Sequence, residues 1–131
     1  MSEQNEQLVR DFFAALSSGD LEQVRPLFHP EAIWQVMPKN IPGEGIHRGR
    51  DYICDEFLAP VRGLFEPGDP KVIVDTCIGK GNIVACETRG VGKLLNGKVY
   101  DNIYAWFFEI RDGKVFHLRE YMDSLYVTTL V

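Results

Sequence analysis

The sequence predicts an α+β fold. Helical periodicity is confined to the first half of the 131-residue chain, and runs of β-branched and aromatic residues fill the second half. Short Gly-, Asn- and Asp-containing turns separate those runs, so the second half reads as an antiparallel meander. Helices followed by a meander imply helices packed on one face of a sheet. No repeat or linker divides the chain, so residues 1–131 read as one domain.

The elements follow in order. Gln4 to Leu16 reads as an amphipathic helix, with Leu8, Phe12, Ala15 and Leu16 at helical spacing and Val9 and Phe13 beside them. Ser17-Ser18-Gly19 ends it, and Asp20 caps a short second helix, with Gln23 three residues on, that stops by Pro30. Ala32 to Met37 reads as a strand broken at Pro38, and Pro38 to Gly49 as a loop. A third helix starts near Arg50 and is interrupted at Pro60, and Phe65 to Pro70 is a turn. The strands are Val72 to Ile78, Ile83 to Leu95, Val99 to Ile110 and Val115 to Val127. Asn96-Gly97 and Asp112-Gly113 are signals for two-residue hairpins.

Composition narrows the function classes. Apolar residues make up 45% and charged residues 25%, as in globular proteins, and the formal net charge is −5. A surplus of acid with no basic patch argues against nucleic acid and against anionic membranes as partners. Cys54, Cys77 and Cys86 are widely spaced and odd in number, and the polar start MSEQNEQ lacks a signal-peptide core, so a reducing cytoplasm is expected. Scattered His29, His47 and His117 predict no metal site, and His117 falls on an outer face. Gly92-Lys-Leu-Leu-Asn-Gly97-Lys98 matches most of a phosphate loop, but Val99 stands where Ser or Thr should follow, and a strand follows instead of a helix. Neither nucleotide nor metal is therefore expected.

Polar residues on apolar strand faces supply the candidates. In Phe116 to Asp123, Glu120 alternates with Phe116, Leu118 and Met122. In Ile83 to Val91, Glu87 and Arg89 alternate with Ile83, Ala85 and Val91. In Tyr100 to Ile110, Asn102 and Tyr104 share a face with Trp106 and Phe108, and Trp34 shares one with Val36. If these faces coincide, Glu87, Arg89, Tyr104 and Glu120 converge. Two carboxylates around one guanidinium would satisfy a buried charge and suit general acid–base work. The same pattern also fits a structural ion-pair network, or strands twisted so that these groups reach solvent.

The order of elements resembles the SnoaL-like branch of the NTF2-like superfamily. The marks are Ser18-Gly-Asp-Leu21, Phe28-His-Pro-Glu-Ala32, Gly49-Arg50, Asn96-Gly-Lys98, Tyr100-Asp-Asn102, Asp112-Gly-Lys-Val115 and Leu118-Arg-Glu-Tyr-Met-Asp123. The resemblance implies a cystatin-like cone, in which helices and a curved antiparallel or mixed sheet enclose one pocket, commonly in a homodimer without cofactor. The ketosteroid isomerase set of aspartate, tyrosine and protonated aspartate falls near Val36, Phe12 and Trp106, which cannot replace it. Trp34-Gln-Val-Met-Pro38 is similar to the Tyr-Gln-Asn-Met-Pro segment of limonene-type epoxide hydrolases, with Val36 at the water-holding asparagine. Their Arg-x-Asp falls on Glu87-Thr88-Arg89 with charges exchanged, and their second catalytic aspartate on Glu120.

The expected function is a cofactor-independent enzyme acting on a small, mostly apolar molecule by isomerisation, cyclisation, dehydration or epoxide opening. Glu120 is the expected base or acid. Glu87 and Arg89 would tune it and bind developing charge, with Tyr104 as hydrogen-bond donor and Asn102 beside it. Trp34, Val36, Phe108, Phe116 and Met122 would wall the pocket. A non-catalytic binder of a hydrophobic ligand and a dimeric protein-interaction module are the alternatives. Ile103, Phe107 and Tyr121 on the opposite face point to a homodimer.

Overall fold

A computed structural model describes residues 2–130. Helix α1 (Ser2–Ser17) buries Val9, Phe12, Phe13, Ala15 and Leu16, the stripe its periodicity marks. Asp20 caps α2 (Leu21–Val24), its carboxylate accepting from the Glu22 N–H, and a 3-10 turn (Arg25–Leu27) carries the chain into β1 (Phe28–Val36). The glycine- and proline-rich stretch after β1 contains a short strand, β2 (Gly45–Arg48), where a loop was expected. β2 pairs antiparallel with β1 through Ile33–Arg48 to Val36–Gly45, so backbone pairing overrides composition there.

The next helix does not stop at Pro60. It runs as α3 (Arg50–Tyr52), a π-helical stretch (Ile53–Leu58) and α4 (Ala59–Arg62), with Pro60 in the first turn of α4. Proline collides with the carbonyl four residues back in an α-helix. The wider π turn, in which Ala59 N–H reaches the Cys54 carbonyl, leaves it room.

β3 (Lys71–Lys80), β4 (Ile83–Lys93), β5 (Val99–Arg111) and β6 (Lys114–Met122) form the expected antiparallel meander. β1 joins β6 in parallel, giving a mixed six-stranded sheet in the order β2-β1-β6-β5-β4-β3. Asp112-Gly113 makes the predicted two-residue turn, both residues at positive φ (54° and 69°), between paired Arg111 and Lys114. Asn96-Gly97 does not. Lys93 pairs with Val99 across a longer connection, in which the Asn96 side chain accepts from Lys98 N–H at 3.0 Å. The last strand ends at Met122, because Asp123 caps a short helix, α5 (Ser124–Thr128), by accepting from Tyr126 N–H at 3.0 Å.

The core lies between α1 and one face of the sheet. Phe12 meets Phe28 and Phe108 edge-on at ring separations of 5.3 and 5.5 Å, and Phe13 meets Trp106 at 5.2 Å. A smaller cluster of Phe65, Leu94, Tyr100 and Leu130 continues it toward the C-terminal helix. This α+β architecture is the one expected. Among the described residues no helix is long and apolar enough to cross a membrane.

Candidate active site

Strand register decides which side chains meet. Across β4, β5, β6 and β1, one row reads Cys86, Trp106, Glu120, Val36 and the next reads Val84, Phe108, Leu118, Trp34. Thr88, Tyr104 and Met122 form a third. Between these rows, the helical segment ending at Arg62 and the C-terminal residues lies a cavity of about 130 Å³. Its wall is mostly apolar, with Trp34, Val36, Phe57, Leu58, Trp106 and Met122 prominent. Arg62 and Glu120 are its charged groups among the described residues, and Thr88, Tyr100 and Tyr104 carry hydroxyls.

Glu120 is 9% exposed. Its strand neighbours Trp106 and Val36 are both buried, so the carboxylate is taken out of water among apolar groups. The Trp34 indole N–H donates to Oε1 at 2.9 Å, while Oε2 has no protein donor among the described residues, and Glu120 lines the cavity. Burial pushes the Glu120 carboxyl up to about 7, and the Trp34 hydrogen bond lowers it only in part. Such a group gives up and takes back a proton near neutral pH.

The second polar feature is a chain of hydrogen bonds. The Asn102 amide is fixed in orientation, because Oδ1 accepts from Ile103 N–H at 2.8 Å and Nδ2 donates to the Asp123 carbonyl at 3.2 Å. Nδ2 also donates to Tyr100 Oη at 3.0 Å. Tyr100 and Tyr104 hydroxyls are 2.5 Å apart, and among the described residues Tyr100 has no other acceptor. Either hydroxyl can donate to the other, and when Tyr100 donates, the Tyr104 proton is free to point into the cavity. Burial raises the Tyr104 pKa well above the ordinary value, so Tyr104 stays a donor at neutral pH. The ring is held flat against Trp106 (14° between planes, 5.5 Å) and over Gly90, where a Cβ would come within 3.0 Å of Tyr104 Cε1. On the other side of the cavity, His47 stacks on Phe57 at 4.0 Å and donates to the Gly43 carbonyl at 2.7 Å, which holds Phe57 in the wall.

The structure brings Glu120, Trp34, Val36, Tyr104 and Met122 to one cavity. Four other expectations need correction. Glu87 and Arg89 lie on the outer face, where Glu87 accepts from Thr76 Oγ1 and Arg89 faces Asp75 at 3.8 Å. β4 turns Val84, Cys86, Thr88 and Gly90 inward instead. Small residues there make space for Trp106 and Tyr104 opposite, and Trp106 Nε1–H donates to Thr88 Oγ1 at 2.9 Å. Phe116 leaves the inner face because β6 bulges between Val115 and His117, so Val115 is buried and Phe116 packs outside against His29 and Arg111. Phe108 is fully buried against Phe12 and Phe13, behind the cavity and not in its wall. Asn102 reaches the cavity only through Tyr100. His117 lies on the outer side and meets Gln35 at 3.2 Å, as its position suggests. Among the described residues no group of three or more His, Cys, Asp or Glu side chains could hold a metal ion.

Sequence reasoning missed Arg62, Thr88, Tyr100 and Phe57. Tyr100 was visible, two positions before Asn102 on the same face. Arg62 and Phe57 were hidden by the π turn, which breaks helical spacing.

The comparisons with known proteins agree with this geometry. A family model described as the SnoaL-like domain matches residues 9–118. The structure of Bal32a, from a soil-derived mobile gene cassette, is 29% identical, with 97% of this chain and 95% of that one covered and a TM-score of 0.83. TerC, co-crystallised with polyporic acid, is 22% identical, with 97% of each chain covered and a TM-score of 0.85. A putative SnoaL-like polyketide cyclase from Jannaschia sp. CCS1 is 21% identical, with 98% of this chain and 91% of that one covered and a TM-score of 0.81. No curated protein matches. Structures described as NTF2-like and cystatin-like share the architecture. With the family model covering most of its length, this chain belongs to the SnoaL-like domain family of NTF2-like fold.

Proposed function

We propose that the cavity binds a small, mostly apolar carbonyl compound and moves a proton on it, as an isomerase or cyclase does. The observation that carries this reading is Glu120: a carboxylate in the wall of an apolar cavity, one oxygen held by Trp34, the other without a protein donor among the described residues, and a carboxyl pushed up to about 7. In the ionised form, Oε2 takes a proton from carbon next to the carbonyl. The developing oxyanion accepts from Tyr104 O–H, whose own oxygen is held by Tyr100. Glu120 then returns the proton at a second carbon, or the enolate carbon adds to a second carbonyl of the same molecule, whose C=O π bond opens and whose oxygen takes the proton back from Glu120. Epoxide opening is supported less well, because Val36 offers no hydrogen bond to a water and Glu87 and Arg89 lie outside the cavity.

The test uses 2-tetralone in deuterated water, with exchange of its acidic protons followed by NMR. The protein should accelerate exchange, the rate should rise as pH increases through about 7, and Glu120→Gln should lower it by about a hundredfold. Absence of acceleration would leave the cavity as a binding site without catalysis.

The chain is further proposed to pair with a second copy through the outer face of its sheet. On adjacent strands of that face, Ile103, Phe107 and Tyr121 are 64%, 40% and 37% exposed, while α1 packs on the other face. The free thiols Cys54, Cys77 and Cys86 suit a reducing compartment such as the cytoplasm.

A further inference from the structure

The proton transfer described above uses Glu120 and Tyr104 and leaves one charged group of the cavity wall without a role. Arg62 ends α4 and lines the cavity. It is half-buried, and desolvation lowers its pKa, yet a guanidinium remains a cation at any working pH. Its Nη2 donates to the Pro70 carbonyl at 3.2 Å. Among the described residues no carboxylate comes within 4.0 Å of it. The acidic residue that acts on it most, Asp69, already accepts from Lys93 N–H at 3.0 Å. Tyr104 is its other electrostatic neighbour.

A half-buried guanidinium that, among the described residues, meets one backbone carbonyl is under-used. It presents five N–H donors in a planar fork that fits a carboxylate in two-point contact. Elsewhere in this protein the fork is used: Arg25 takes Glu22, Asp51 and Asp55 at 2.9, 2.8 and 2.6 Å. With a net charge of −5, the chain as a whole has no general attraction for anions, so an anion would be drawn by a local group.

We infer that Arg62 docks an anionic group of the ligand, and that the cavity takes an apolar body ending in a carboxylate or a similar planar oxyanion. This rests on the reading of the cavity as a ligand site. The molecule then has two polar ends, one placed by Arg62 and the other, the reacting carbonyl, between Glu120 and Tyr104. Below about pH 7 Glu120 is mostly protonated and adds no second negative charge beside the anion.

Titration calorimetry of the full chain at pH 6 with 2-naphthoate and 2-naphthamide tests this. The two compounds share shape and size and differ in charge. The wild type should bind naphthoate about tenfold more tightly or better. Arg62→Gln should bind both equally, with naphthamide affinity unchanged, which also shows that the variant is folded. Arg62→Lys should keep part of the preference. Equal affinities in the wild type, or a preference that survives in Arg62→Gln, overturn the inference. Binding of neither compound removes the ligand-site reading and this inference with it. Failure of proton exchange on 2-tetralone, with the naphthoate preference intact, rejects the catalytic reading alone.

Discussion

The indole N–H of Trp34 ends on Oε1 of Glu120, 2.9 Å away, across two strands that run parallel and lie 86 residues apart in the chain. This single bond is what the protein offers the carboxylate in return for its lost hydration.

The first consequence is a pH-dependent stability. The Glu120 carboxyl rises from 4.5 to about 7 on folding, so the folded state holds its proton more tightly than the unfolded one. That contribution is fully present below pH 4.5 and is lost as pH rises through about 7. The loss amounts to about 3 kcal/mol. Glu120→Gln keeps an acceptor for Trp34 and has nothing to ionise. Urea unfolding at pH 5 and pH 8 should show the variant gaining on the wild type by about 2–3 kcal/mol at the higher pH. A difference that does not change with pH would show that Glu120 is hydrated.

Trp34→Phe keeps the ring in the cavity wall and removes the donor. The charged form of Glu120 then has no protein hydrogen bond, so its pKa should rise above about 7, by roughly 1 unit. Carboxyl carbon chemical shifts of Glu120 across a pH titration measure this. An unchanged midpoint would mean that water replaces the indole without loss.

The hydroxyl chain predicts graded effects. Tyr104→Phe removes the donor itself and should slow proton exchange on 2-tetralone about tenfold to a hundredfold. Tyr100→Phe and Asn102→Leu leave that donor in place and should cost less, with Km little changed. If Tyr100→Phe proved as damaging as Tyr104→Phe, the proton order would run the other way.

Glu87→Gln and Arg89→Gln are exposed changes on the outer face and should alter exchange rates less than about twofold and stability by under ~0.5 kcal/mol. A large loss of activity in either would place them back at the reacting atoms.

Sedimentation equilibrium at micromolar concentration should give a species of twice the 14.9 kDa chain. Ile103→Lys, on the exposed outer face, should shift it to the monomer with the cavity intact. A wild-type monomer would reject the pairing.

Most of the fold was legible because the apolar pattern and the turn residues agree. The α1 stripe, the meander and the Asp112-Gly113 hairpin are each written in a few adjacent residues. Glu120 was legible for the same reason, being the carboxylate between Leu118 and Met122. The β4 side chains were not, since both faces of that strand carry apolar residues, Ile83 and Ala85 against Val84 and Cys86. Only pairing with Trp106 and Phe108 chooses between them. The β6 bulge that expels Phe116 lies in the hairpin with β5, where Ile110 meets Val115 and Glu109 meets His117, and no turn residue or break in the apolar pattern marks it. Asp123 did leave one, as a capping residue before Ser124, but the apolar residues after it read equally well as strand.

The π turn at Ile53–Leu58 amounts to one residue more than a regular helix would hold. Deleting one residue there would restore α-geometry and leave the following helix in its present orientation, because the wider turn already absorbs the extra residue. Val61 and Arg62 would keep their place in the cavity wall, but Pro60 would then meet the carbonyl four residues back. The length of this helix and the proline within it are thus coupled: a one-residue deletion should cost about 3 kcal/mol or more unless Pro60 is replaced with it.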